Sequence, residues 1–200
     1  MSTVHNLFPT PVFEKHMDRG FTKEEISIIK KVECYTNISN SISKDVYILD
    51  NKKLKNIKKF VQKCCDEYVE KILAPKNKIK IYITQSWLNF TQQDEAHHSH
   101  EHQNSFISGV LYIHVNENLD TIEFFKRDYE LFRIEKTTFN KFNSTSWGFP
   151  VKNGQLMLFP SSTMHGVNIK KHNDVRCSLA FNTFIKGDFG EDKALTRLVI

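Results

Sequence analysis

Four of the chain's nine histidines fall in one short run, Ala96-His97-His98-Ser99-His100-Glu101-His102. Alternate residues of an extended chain face the same side, so His98, His100 and His102 can all project one way. Two imidazoles spaced two residues apart form a chelating pair that needs one further ligand to fix a metal. His-rich tracts of this kind bind metals by composition. A bland reading stands beside it: a solvated polar loop in which His97 and His98 face water. A single histidine, His165, follows the apolar segment Leu156-Met157-Leu158-Phe159 and its Pro160-Ser161 turn, and it stands at the start of another short segment.

Eleven residues after His165 comes Arg176, inside the apolar run Val175-Arg176-Cys177-Ser178-Leu179-Ala180-Phe181. A buried guanidinium without a counter-charge is costly, so Arg176 needs a carboxylate. That carboxylate is either an internal Asp or Glu, or an acid that binds from outside. Ser178 shares the face of Arg176, and a guanidinium fork with a hydroxyl beside it can grip a planar acid. Cys177 should face the opposite side and pack in the core. Asn89 lies on the strand that enters the histidine run, where it can meet substrate, hold a metal-bound water or satisfy a backbone group. Trp87 and Trp147 read as packing aromatics.

The elements that must position these groups follow from period and punctuation. The chain has 200 residues, 40% hydrophobic and 26% charged, which suits one packed domain and argues against wholesale disorder. Thr22 with Glu25 three residues on makes a capping box ahead of Ile26, Ile28, Ile29 and Val32. A second helix is expected over 52–73, with Leu54, Ile57, Val61, Cys64, Cys65, Tyr68, Val69, Ile72 and Leu73 on one face and Pro75 as its stop. Strands are expected over 80–90, 106–115, 121–125, 131–134, 155–159 and 176–184, with no helices returning between them. That order predicts a mostly β, α+β fold: an antiparallel sandwich or barrel flanked by N-terminal helices, not a doubly wound sheet. Residues 1–76 would form an arm and supporting helices, 77–186 the β core and 187–200 a polar tail. The segment 6–13, with Pro9 and Pro11, reads as an extended arm or edge strand that could pair with a second copy.

Composition narrows the partners. No apolar run approaches the roughly 20 residues that cross a bilayer, and the first residues lack the basic and apolar regions of a secretory signal. A cytoplasmic protein without a membrane partner is expected. The net charge of +5 is mild, and the densest lysine run, over 52–63, falls on the outer face of a predicted helix. Such a distribution argues against nucleic acid as a partner. Cys34, Cys64, Cys65 and Cys177 show no metal or redox spacing, so reduced thiols are expected.

Taken together, the His-x-His ahead of Ser108-Gly109-Val110-Leu111-Tyr112, the strand running into Phe159-Pro160-Ser161, the distal His165 and the later Arg176-Cys177-Ser178 resemble the 2-oxoglutarate and Fe(II)-dependent oxygenases. The likeness extends to a prolyl-hydroxylase-like branch found in bacteria and phages, through Asn6-Leu7-Phe8-Pro9-Thr10-Pro11-Val12 and Trp87-x-Asn89. The resemblance implies a double-stranded β-helix, or jelly roll, with Fe(II) held by His100, His102 and His165. It implies that Arg176, Ser178 and Tyr112 hold the distal carboxylate of 2-oxoglutarate; Asn89 and His98, read from position alone, are candidates to contact substrate or support the ligands, with His98-x-His100 as an alternative chelate. The activity implied is that of a dioxygenase hydroxylating a C–H bond of an unidentified substrate, a small molecule or a protein side chain, with dioxygen as oxidant. One departure stands out. Most such enzymes place a carboxylate where this chain has His102, so either the site is three-His or Glu101, Asp94 or Glu95 turns inward. A cupin-like three-His dioxygenase that uses no 2-oxoglutarate, or a non-catalytic metal-binding β-domain, are the rival readings.

Overall fold

The hydrophobic period changes at Pro75, and the architecture changes with it. The computed structural model describes residues 2–127 and 131–200. Before Pro75 lie strand β1 (Phe13–His16), helix α1 (Lys23–Lys30), a hairpin of β2 (Cys34–Thr36) and β3 (Ser41–Ser43), and helix α2 (Lys55–Tyr68). The Thr22 hydroxyl accepts from the Glu25 N–H at 3.1 Å, and the Glu25 carboxylate accepts from the Thr22 N–H at 2.8 Å, so both halves of the capping box form. The expected helix over 52–73 is helical throughout but not uniform. It enters through a 3₁₀ turn (Lys52–Leu54) and leaves through a π turn (Val69–Leu73).

Nine strands follow: β4 (Ile79–Thr91), β5 (His97–His100), β6 (Ile107–His114), β7 (Thr121–Phe125), β8 (Ser146–Pro150), β9 (Gln155–Pro160), β10 (His165–Val167), β11 (Arg176–Phe189) and β12 (Leu198–Val199). The large sheet runs β1-β9-β6-β11-β4-β3-β2, with β12 added on β11; the small sheet runs β5-β10-β7-β8. Every named pair is antiparallel. From β4 to β11 the chain passes back and forth between the sheets, which is the jelly roll that the sequence led us to expect.

Two apolar layers result, and strand β9 shows why. Leu156 and Leu158 face the helices with Ile57, Val61, Leu88 and Phe181, whereas Met157 and Phe159 face the small sheet with Ile122 and Phe124. The functional side chains therefore lie between the sheets, and α2 braces the large sheet from behind. All four cysteines are free. Among the described residues, no helix is long and apolar enough to cross a membrane.

Some expectations are corrected. Residues 131–134 form no strand, since Leu131, Phe132 and Ile134 stand 71%, 73% and 67% exposed with no ladder partner. Of the two readings of segment 6–13, the arm holds for 6–12: residues 6–10 are exposed, Val12 packs against the layer between the sheets, and pairing begins only at Phe13, past the two prolines that lack an N–H to give. The tail is not wholly irregular, because β12 returns to pair with Asp188 and Phe189 of β11.

The separation of the two layers makes a testable prediction. Ile57→Ala, at a fully buried position of α2, should lower stability by about 2–5 kcal/mol in urea unfolding. Metal stoichiometry of the folded variant should stay unchanged, because the cavity left behind lies on the far face of the large sheet from the histidines.

Candidate metal centre

Strands β5 and β10 pair with His165 directly opposite His100, and their ring centroids lie 4.5 Å apart. Beyond β5 the His102 N–H donates to the Ser161 carbonyl at 2.9 Å, which folds the chain back towards β10. His102 then lies 4.9 Å from His100 and 5.2 Å from His165, centroid to centroid. One nitrogen from each of the three rings falls within 4.8 Å of the others.

Tautomers follow from the outer contacts. His100 Nδ1 faces the His98 carbonyl at 2.8 Å, and His165 Nδ1 faces the Thr163 carbonyl at 2.9 Å. A carbonyl only accepts, so each Nδ1 carries the proton and each Nε2 keeps a free lone pair, as metal-binding histidines require. Trp87 lies against His102 at 5.6 Å and Phe159 against His165 at 4.5 Å. Burial, then repulsion from neighbouring imidazoles, lowers His165 to about 3 and His102 to about 4. Burial likewise lowers His100. All three are neutral imidazoles at pH 7. The strand pairing is close as well: a Cβ at Gly166 would sit 2.9 Å from the His97 carbonyl oxygen.

Among the described residues, no nearby carboxylate joins the cluster. Glu101 is paired with Arg127, Asp94 with Lys171 at 3.0 Å, and Glu95 accepts from the Gln92 N–H at 2.7 Å. Among the described residues, the cluster with metal-ligand geometry is therefore three imidazoles. His98 stays outside it, its Nδ1 buried without a partner and its ring 5.1 Å from His100. His97 is a correction. Sequence reasoning sent it to solvent, yet its ring stacks on His100 at 4.5 Å and lines the cavity. A register irregularity between His165 and Val167 breaks the strict alternation of β5 and turns this extra histidine inward.

The large sheet supplies the opposite wall. Asn89 of β4, Ser178 of β11 and Tyr112 of β6 are directly paired and form one cross-strand row. Two residues along β11 from Ser178 lies Arg176, 3% exposed, whose Nη1–H donates to the Thr121 carbonyl at 2.6 Å. Its guanidinium carbon sits 5.3 Å from the centroid of the Tyr112 ring. Asp120, unsuspected from the sequence, approaches Arg176 Nη1 at 3.8 Å. Burial, partly opposed by Arg176, pushes the Tyr112 phenol up to about 12, so it remains a neutral donor. The Tyr112 hydroxyl and the Asn89 carbonyl oxygen are both buried with no hydrogen-bond partner. Cys177 packs away from this wall, in the core. Histidines and row line the same open-mouthed cleft between the sheets. Lone pairs at one end, and a cation beside an orphaned hydroxyl at the other, suit a divalent metal and an anionic molecule.

Residues 85–182 match the family described as "Putative 2OG-Fe(II) oxygenase". No curated protein sequence matches the chain. Among solved structures, an oxidoreductase of the 2OG-Fe(II) oxygenase family from Burkholderia pseudomallei superposes with a TM-score of 0.59 at 10% identity, covering 86% of this chain and 83% of that one. HygX from Streptomyces hygroscopicus, with nickel and 2-oxoglutarate bound, gives 0.59 at 10% identity, covering 87% and 82%. SnoN, a non-heme alpha ketoglutarate dependent epimerase of nogalamycin biosynthesis, gives 0.60 at 7% identity, covering 89% and 81%. At such identities these likenesses speak for the fold.

The lowered histidines also predict a pH dependence. Unfolded imidazoles take up protons below about 6.5, whereas folded His165 and His102 resist until about 3 and 4. The unfolded state therefore binds more protons throughout that window. Stability of the metal-free protein should hold above pH 6.5 and fall progressively towards pH 4. Urea midpoints at pH 7, 6 and 5 should show the slope, and His165→Ala should flatten it.

Proposed function

We propose that this chain, which belongs to the 2-oxoglutarate and Fe(II)-dependent oxygenase superfamily, is a dioxygenase whose iron is held by His100, His102 and His165. Arg176, Ser178 and Tyr112 would hold the distal carboxylate of 2-oxoglutarate. The observation that carries the reading is the convergence of three imidazoles, two with their Nδ1–H already spent on backbone carbonyls. Bound iron and 2-oxoglutarate supply the dioxygen activation that an oxygenase needs.

The protein's own part is placement. The small sheet presents lone pairs from one side, and three protein ligands leave coordination positions open to smaller molecules. The large sheet presents the guanidinium and the unpartnered phenol from the other side, where a carboxylate would satisfy both. Trp87 and Phe159 wall the histidines with apolar surface, which limits water around a reactive centre. Asn89 turns its unpartnered oxygen to the same cavity and is available to substrate or to a metal-bound water. Hydroxylation of a C–H bond, on a small molecule or a protein side chain, is the reaction we assign. The chain would work as one domain, with 77–186 as its catalytic core. The rival three-His reading without 2-oxoglutarate shares the donor set; the family match and the Arg176 row favour the 2-oxoglutarate-dependent one.

Metal and cosubstrate can be tested separately. His165→Ala should abolish retention of Fe(II) in a folded protein, whereas Glu101→Gln should retain it; metal analysis after anaerobic desalting reads both. A Glu101→Gln variant that loses iron would return the site to the two-His, one-carboxylate type. Arg176→Leu should weaken 2-oxoglutarate binding by roughly 30-fold or more, since it removes a charge-assisted fork. Ser178→Ala should cost about 1.5–3 kcal/mol of the same binding, as one hydrogen bond to a charged group is lost. Anaerobic titration of the Fe(II) protein, followed through its visible charge-transfer band, measures both. Equal affinity in wild type and Arg176→Leu would overturn the clamp.

A further inference from the structure

The Arg176 guanidinium has a second neighbour that the proposed function does not use. Asp120, 5% exposed, places Oδ1 at 3.8 Å from Arg176 Nη1. The same oxygen faces His172 Nε2 at 3.2 Å. On the far side of that ring, His172 Nδ1 is buried without a hydrogen-bond partner and points to Asp174 Oδ2 at 3.6 Å. Asn116 ties the two carboxylates together: its backbone N–H donates to Asp120 at 2.9 Å and its side-chain amide to Asp174 at 3.1 Å. Lys170, 4% exposed, donates its ammonium to the His172 carbonyl. The groups facing His172 are therefore Asp120, Asp174 and the Lys170 ammonium, with Arg176 beyond Asp120.

We infer that Asp120 is the internal counter-ion of Arg176 and competes with an anionic ligand for it, and that protonation of His172 shields this competition. Both are positioning residues, acting on the ligand only through the guanidinium, and the inference rests on the reading of Arg176 as the carboxylate clamp. The physical steps are short. A buried carboxylate close to a buried guanidinium neutralises it when no ligand is present, which stabilises the empty protein. The same negative charge opposes a second carboxylate arriving at that guanidinium. His172 has a carboxylate at each nitrogen, and only the doubly protonated ring can donate to both. Once charged, it offsets Asp120 and leaves Arg176 freer to attract an anion.

Calorimetric titration of 2-oxoglutarate into the Mn(II)-loaded full chain, between pH 8 and 6 where imidazoles titrate, tests this. Wild type should bind more tightly at pH 6 than at pH 8. Asp120→Asn should melt at a lower temperature without ligand and yet bind 2-oxoglutarate roughly 5-fold more tightly at pH 8, the low end of couplings between linked groups. His172→Gln keeps a neutral donor for Asp120; it should match wild type at pH 8 and bind about 5-fold more weakly at pH 6, losing the pH dependence. The double variant should behave like Asp120→Asn, because the shield has nothing left to shield. A residue of merely structural importance would weaken binding in both variants and leave the pH profile in place. Unchanged or weaker binding by Asp120→Asn, or a wild-type pH profile in His172→Gln, overturns the inference while leaving the clamp intact. Should Asp120→Asn fail to fold, the His172→Gln profile decides alone. Wild type that binds no 2-oxoglutarate at any pH overturns the proposed function, and this inference with it.

Discussion

Directly opposed residues of an antiparallel pair hold their Cβ atoms about 4.5–5.5 Å apart, and the alignment of His165 with His100 uses that spacing to set two ring centroids 4.5 Å apart. Almost everything else about the site depends on this register. A slip of one residue between β5 and β10 would turn every side chain of the slipped strand to the opposite face. Several contacts oppose such a slip. The His102 N–H is tied to Ser161 at 2.9 Å, the Phe125 N–H to Met164 at 2.9 Å, and Gly166 admits the backbone of β5 at a distance no other residue permits. The third ligand then needs no strand of its own, because the turn after β5 is already anchored.

The jelly roll adds the second half by folding the large sheet over the first. Strand β11 lies between β4 and β6, so its inward residues meet partners on both sides, and Asn89, Ser178 and Tyr112 line up as one row. Desolvation acts on both walls with opposite signs. It keeps the imidazoles neutral and able to donate lone pairs, and it keeps the Tyr112 phenol protonated and able to donate a hydrogen bond. Burial on both walls thus prepares the proposed metal ligands and the proposed anion donor together.

Long, regular elements were legible in the sequence because their signal repeats. The capping box at Thr22 and Glu25, the apolar stripe of α2, and the strands around Leu88, Leu111, Leu156 and Leu179 each carry several turns or pleats of agreeing pattern. Short strands carry no such redundancy. His97–His100 has no β-forming composition, and it is a strand because β10 lies beside it. Leu131–Ile134 fails in the opposite way: it has strand-like composition but no neighbour to pair with. Arg176 lies between these cases. Its need for a carboxylate could be read from the apolar run around it, but Asp120 stands 56 residues earlier, and only the packing of the small sheet on the large one brings it near. His97 escaped because strict alternation fails at an irregularity that no local residue announces.

The proposed three-imidazole donor set has a consequence for charge. In a site with a carboxylate ligand, the protein itself cancels part of the metal's double charge. Here Glu101, the one acid within the histidine run, is drawn outward by Arg127, and the three imidazoles are neutral. A bound divalent ion would keep its full charge in a low-dielectric space, with the Arg176 guanidinium on the facing wall. Such a cavity attracts a dianion at both ends, and the attraction grows as water is excluded. Left unchecked, the buried guanidinium would also destabilise the empty protein as an uncompensated charge. A carboxylate placed behind the guanidinium rather than on the metal answers both demands, since it tempers the charge at one end and leaves every open metal position to incoming ligands. Asp120 occupies that place, at 3.8 Å from Arg176 and outside the ligand set.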